Sequence, residues 1–84
     1  MNTIEFAAAM QRKLNENAYK GGWERCNNKW LLNRSKQEFG ELLRAIEKKK
    51  SPEDVIGEAA DVANFAMMIA DNYQREFEDA PHPF

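Results

Sequence analysis

The sequence predicts an all-α fold: three helices in a single domain, the second and third forming a hairpin, and a bundle completed by oligomerisation. Three observations carry that prediction. Apolar residues recur at three- and four-residue intervals, whereas no stretch alternates with period two and no β-branched cluster appears. Two strong breaks, Lys20-Gly21-Gly22 and Ser51-Pro52, cut the chain into pieces of helical length. Between Ala59 and Ala70, AADVANFAMMIA, only Asp61 and Asn64 are polar, and a helix apolar on most sides is buried on most sides.

With 84 residues, 43% hydrophobic and 31% charged, the chain (1–84) fits one domain and leaves no room for a second. A chain of this size buries only about 60–65% of its unfolded surface, so a staple or a partner is needed. Cys26 is alone, which rules out an internal disulfide, suits a reducing compartment and reads as a small hydrophobe. A homo-oligomer, dimer or tetramer, is therefore expected. The formal net charge of −2 argues against nucleic acid as the main partner, because a phosphate-backbone binder carries a basic patch. The basic run Lys48-Lys49-Lys50 reads as a solvated helix end, where cations favour the macrodipole. The longest apolar run, Phe65 to Ala70, is far short of a membrane span, so no membrane is expected. MNTIEFAAAM lacks the basic start of a signal peptide, and the cytoplasm is the expected location.

The first helix is expected from residue 3 to about 19, with Thr3 as N-cap and Ile4, Ala7, Ala8, Gln11 and Leu14 as a modest apolar stripe. The glycine pair ends it. The second is expected from about Trp23 to Lys48, with a later start near Trp30 or Asn33 if Asn27-Asn28 loosen its first turns. Its stripe is Leu32, Phe39, Leu42 and Ile46, widened by Leu31 and Leu43. The third starts at Ser51, a capping residue, with Pro52 at its first position, and runs to about Phe77. Val55, Ala59, Val62, Ala66, Ile69 and Tyr73 form one of its stripes; Ile56, Ala60, Ala63, Met67 and Ala70 form another. The tail 79–84 has two prolines and cannot continue the helix, and its His82 reads as frayed and solvated.

The chemistry lies between Glu38 and Asp61. Glu38/Glu41 and Glu58/Asp61 are two carboxylate pairs at i,i+3 spacing, which puts each pair on one helix face. If the helices fold back near Lys49-Lys50, Glu41 and Glu58 stand equally far from the bend, and so do Glu38 and Asp61. All four acids then converge at one height. Facing carboxylates repel unless a cation sits between them, and oxygen ligands suit Mg²⁺, with Mn²⁺ as its substitute. The competing reading is a pair of solvated helix edges tied to basic residues at i±4. Arg34 can serve Glu38 in that way, but no lysine or arginine lies within four residues of Asp61. Glu58/Asp61 is accordingly the pair hardest to explain without a cation, while Glu38/Glu41 can survive as a wet edge.

ExxE as Glu38-Phe39-Gly40-Glu41, followed by ExxD as Glu58-Ala59-Ala60-Asp61 across a helical hairpin, resembles the MazG-like family of all-α nucleoside triphosphate pyrophosphohydrolases. KGGW at 20–23, WLLNRSKQEFGELLRAIE and EAADVANFAMMIAD extend the resemblance over about residues 19–73. It implies that Glu38, Glu41, Glu58 and Asp61 hold Mg²⁺. It further implies hydrolysis of a nucleoside or deoxynucleoside triphosphate to the monophosphate and pyrophosphate, by water attacking the α-phosphorus. One glutamate doubles as general base, Glu41 in preference to Glu38.

Substrate residues are read from the flanking positions. Asn64 has an amide suited to a sugar hydroxyl or base edge, or to a bond between helices. Phe65 can stack on a base or pack in the core, and Trp23, after the glycine break, can edge a cleft or anchor the core, as can Trp30. Lys20 and Arg34 reach phosphates or stay solvated, and Met67-Met68 reads as oligomer core. Gly40, inside the first motif, is expected to allow close approach of a subunit or ligand. Two functions thus stand: an Mg²⁺-dependent triphosphate pyrophosphohydrolase, or a non-enzymatic helical interaction module with a structural or decayed metal site.

Overall fold

The computed structural model describes residues 1–79, which form three α-helices and no strand: α1 Thr3–Glu16, α2 Asn28–Glu47 and α3 Pro52–Asp79. Residues 80–84, with His82, lie outside the described residues.

The cap of α1 is Asn2 rather than Thr3, its Oδ1 accepting the Glu5 N–H at 2.9 Å. The helix stops at Glu16, short of 19, and a 3₁₀ turn at Ala18–Lys20 leads into Gly21. Gly21 has φ 86°, a backbone conformation that costs an L side chain dearly. The expected stripe is misplaced: Ile4 is 79% exposed, and Ala7, Ala8 and Gln11 also face water. Of that stripe Leu14 alone is on the inner side, with Phe6, Ala9, Met10 and Lys13.

Residues 21–27 are irregular, so α2 begins later than Trp23. Asn27 does not loosen the start but makes it, its Oδ1 accepting the Lys29 N–H at 2.7 Å. At the other end Lys49 takes φ 52°, with Lys49 N–H donating to Ile46 O and Lys50 N–H to Ala45 O, both at 3.0 Å. That is a Schellman cap with lysine in the left-handed position. Ser51 then caps α3 as expected, its Oγ accepting the Asp54 N–H at 3.1 Å.

α3 is the shared partner. It packs along α2 and along α1, while α1 and α2 make no close backbone approach to each other. Asn64 meets Met10 and Asp61 meets Lys13, so α1 also runs antiparallel to α3. A valley floored by α3 is the necessary result. Among the described residues the buried apolar ones are few and mostly small: Ala9, Leu31, Ala45 and Ala60.

Most of the expected stripe of α2 points outward, although Leu31 is buried and Leu42 half-buried. Leu32, Phe39, Leu43 and Ile46 are 50–61% exposed, whereas Leu31, Glu38 and Ala45 face α3. On α3, Ala66, Ala70 and Tyr73 are exposed, and the buried line is Ala60, Asn64 and Asn72. Among the described residues no helix is long and apolar enough to cross a membrane.

Candidate functional site

The hairpin brings Glu38 of α2 to Glu58 and Asp61 of α3, each offering an oxygen within 4.8 Å of the other two. Glu41 stands at the exposed edge of this group, close enough to bond to Glu38. The depth order differs from the sequence expectation. Glu38 is buried, only 8% exposed, so it is no wet edge. Its carboxyl is pushed up from 4.5 to about 7, first by burial, then by the hydrogen bond and charge of Glu41 and the charge of Asp61. Arg34, four residues earlier, opposes this with Nη2 at 3.0 Å from Glu38 Oε1.

Glu58 is also raised, by burial and then by the charges of Glu41 and Asp61. Its Oε2 is buried without a hydrogen-bond partner. Asp61 is raised by burial, but a cation does reach it. Lys13 Nζ lies 3.6 Å from Asp61 Oδ2 and partly offsets that rise. No lysine or arginine lies within four residues of Asp61 along the helix, but one reaches it across space.

Next to the acids, the valley between α1 and α2 forms a cleft of about 770 Å³. Trp23, Trp30, Phe65 and Met68 give it an apolar wall; Lys13, Lys20 and Arg34 give it cations; Glu38, Glu41 and Asp61 close one side. This volume is in the range of small-molecule sites. Arg34 is fixed twice over, paired with Glu38 and Gln37 and lying 5.5 Å above the centre of the Phe65 ring. Trp23 lines the cleft while its indole N–H donates to Asp71 Oδ2 at 2.8 Å. Trp30 is no core anchor, being 53% exposed at the cleft wall, and Met68 lines the cleft too.

Asn64 is 3% exposed and donates from Nδ2 to Met10 O at 3.0 Å, tying α3 to α1; its Oδ1 has no partner. Among the described residues no contact requires Gly40, since a Cβ there would meet only Arg44 at 3.6 Å.

Two groups escaped the sequence reading. Lys13 sits on the apolar side of α1, three residues after Met10. A lysine there needs an acid, which is the signal that was available. Asn72 is 3% exposed and donates to Trp23 O at 3.0 Å and Cys26 O at 3.2 Å, while Arg75 donates to its Oδ1. Asp71, held below its ordinary range by the Trp23 and Arg75 hydrogen bonds, completes the clamp on the 21–27 segment. No local motif marks a side chain that answers carbonyls so far away in sequence.

No protein-family model, curated protein or solved structure matches this chain. The functional reading therefore rests on the geometry.

Proposed function

We propose that the chain is a MazG-like, Mg²⁺-dependent hydrolase that converts a nucleoside or deoxynucleoside triphosphate to its monophosphate and pyrophosphate. The observation that carries this is the meeting of Glu38, Glu58 and Asp61 within 4.8 Å, beside a cleft with cations and aromatic walls. The donor set fits a hard divalent ion: every ligand is a carboxylate oxygen, and Glu58 Oε2 is buried with nothing to bond. Glu38, Glu58 and Asp61 would hold it, with Glu41 at the edge. When bound, Mg²⁺, or Mn²⁺ in its place, supplies charge neutralisation of the triphosphate and a water of lowered pKa.

The chain's own groups take the remaining roles. Glu41, at the exposed rim, would accept a proton from an attacking water; Glu38, with a carboxyl raised to about 7, is the second candidate base. Arg34 and Lys20 line the cleft where they can meet phosphate oxygens. Trp23 and Phe65 would offer faces for a base, and Asn64 lines the same cleft. A homo-oligomer in the cytoplasm belongs to this reading, with the outward stripe of α2 as its contact.

The second reading is a non-enzymatic helical interaction module. The pairs Arg34–Glu38 and Lys13–Asp61 favour it, because they partly neutralise the acids without a metal. The experiment that separates the two is pyrophosphate release from a panel of NTPs and dNTPs, with Mg²⁺ and with EDTA. Release that EDTA abolishes supports the hydrolase. No release from any substrate, together with no thermal shift by Mg²⁺ or Mn²⁺, leaves the interaction module.

A further inference from the structure

Lys13 comes from α1, the helix that supplies none of the clustered acids, and its role in the site rests on the metal-centre reading of those acids. Its Nζ lies 3.6 Å from Asp61 Oδ2 and 3.2 Å from Glu16 Oε2. The side chain is 25% exposed, so the ammonium is partly desolvated yet still has room. Its stem passes over Gly57, where a Cβ would lie 4.0 Å from Cδ. Lys13 also lines two cavities: the main cleft and a smaller one of about 310 Å³ bounded by Glu16, Lys50, Asp54 and Glu58.

An ammonium and a divalent cation compete for the same Asp61 carboxylate, and their like charges repel at such short range. A lysine can yield, being a point charge on a flexible stem. Arg34 cannot, since Gln37, Glu38 and Phe65 hold its guanidinium in place. Once displaced from Asp61, the Lys13 ammonium still borders the main cleft beside the acids, where phosphate oxygens would lie.

We propose that Lys13 is an exchangeable counter-ion: it pairs with Asp61 in the metal-free site, yields Asp61 to a divalent cation, and then pairs with the substrate's polyphosphate. Lys13 is thus a specificity device as well, favouring ligands that bring two or more phosphates.

The test uses the full chain, with Mn²⁺ binding followed by electron paramagnetic resonance and pyrophosphate binding in saturating Mn²⁺ followed by calorimetry. Lys13→Gln is expected to bind Mn²⁺ about 3- to 10-fold tighter and pyrophosphate about 3- to 10-fold weaker than the wild type. Lys13→Met, which keeps the packing of the stem, gives the same two shifts and guards against loss of fold in the glutamine variant. Lys13→Arg, which keeps the charge, stays closer to wild type in both. Mn²⁺ affinity that is unchanged or weaker in both neutral variants overturns the exchange, and so does unchanged pyrophosphate binding. A wild type that binds no Mn²⁺ overturns the metal-centre reading itself, and the exchange with it.

Discussion

Lys13 of α1 lies 3.6 Å from Asp61 of α3, bringing a cation to the acid that has none within four residues along its own helix. The acid left most perturbed is then Glu38, the deepest of the group, whose Arg34 partner does not prevent a rise to about 7. That redistribution, with the clamp beside it, sets how the chain should respond to pH, metal and substitution.

Without metal, acidity should stabilise the fold. Glu38, Glu58 and Asp61 all have raised carboxyls, so the folded chain keeps protons that the unfolded chain has released. For Glu38 the contribution is full below its ordinary 4.5 and is lost as pH rises through about 7. It amounts to on the order of 1–3 kcal/mol. Asp71 is shifted the other way and acts only below the ordinary carboxylate range. The melting temperature in EDTA should therefore fall between about pH 5 and about pH 8, and Glu38→Gln should flatten the fall. Saturating Mg²⁺ should reverse the sign, because its ligands must be ionised. A melting temperature in EDTA that climbs over this window would sink the account.

Metal affinity should depend unequally on the acids. Asp61→Asn, Glu58→Gln and Glu38→Gln each remove one of the three converging oxygens and should weaken Mn²⁺ at least about tenfold. Glu41→Gln, at the rim, should cost less in binding but about 100-fold or more in pyrophosphate release. Equal losses in metal binding and in rate for Glu41→Gln would remove it as the base.

The clamp on residues 21–27 should be worth more than its best-looking bond. Trp23→Phe deletes the indole N–H to Asp71 and should cost about 0.5–1.5 kcal/mol. Asn72→Ala takes the side-chain donor from the Cys26 carbonyl and one of two donors from the Trp23 carbonyl, which keeps the Cys26 N–H at 2.9 Å, and should cost about 1–3 kcal/mol. Urea unfolding of the two variants gives the order directly.

The hairpin bend carries a correctable strain. Lys49 sits at φ 52°, where glycine is preferred. Lys49→Gly should leave the Schellman bonds in place and raise stability by about 0.5–1 kcal/mol, read from thermal or urea melts.

The two faces of α2 should answer different assays. Leu31 is 1% exposed, and Leu31→Ala should destabilise by about 2–5 kcal/mol. Leu43 is 52% exposed, and Leu43→Glu should barely move the unfolding of an isolated chain. In sedimentation it should shift an oligomer toward monomer; a wild type that is already monomeric would remove the oligomer from the proposed reading.

Much of this was legible before folding was considered. The helical class follows from three- and four-residue periodicity, the third helix start from Ser51-Pro52, and the convergence of Glu38 with Glu58 and Asp61 from equal distances about the bend. These features are set by spacing and caps, which act within a few residues. What spacing cannot determine is which of two equivalent stripes faces a partner. On α2, Leu31, Ser35, Glu38, Leu42 and Ala45 recur at the same intervals as Leu32, Lys36, Phe39, Leu43 and Ile46, one residue along. The greasier set is the one left outside. α3 presents Ala60 and its acids to α2, and only the tertiary packing selects the stripe that carries Glu38. Lys13–Asp61 and Asn72 with the 21–27 carbonyls belong to the same class: polar pairings between distant segments, fixed by which helices meet rather than by any local pattern.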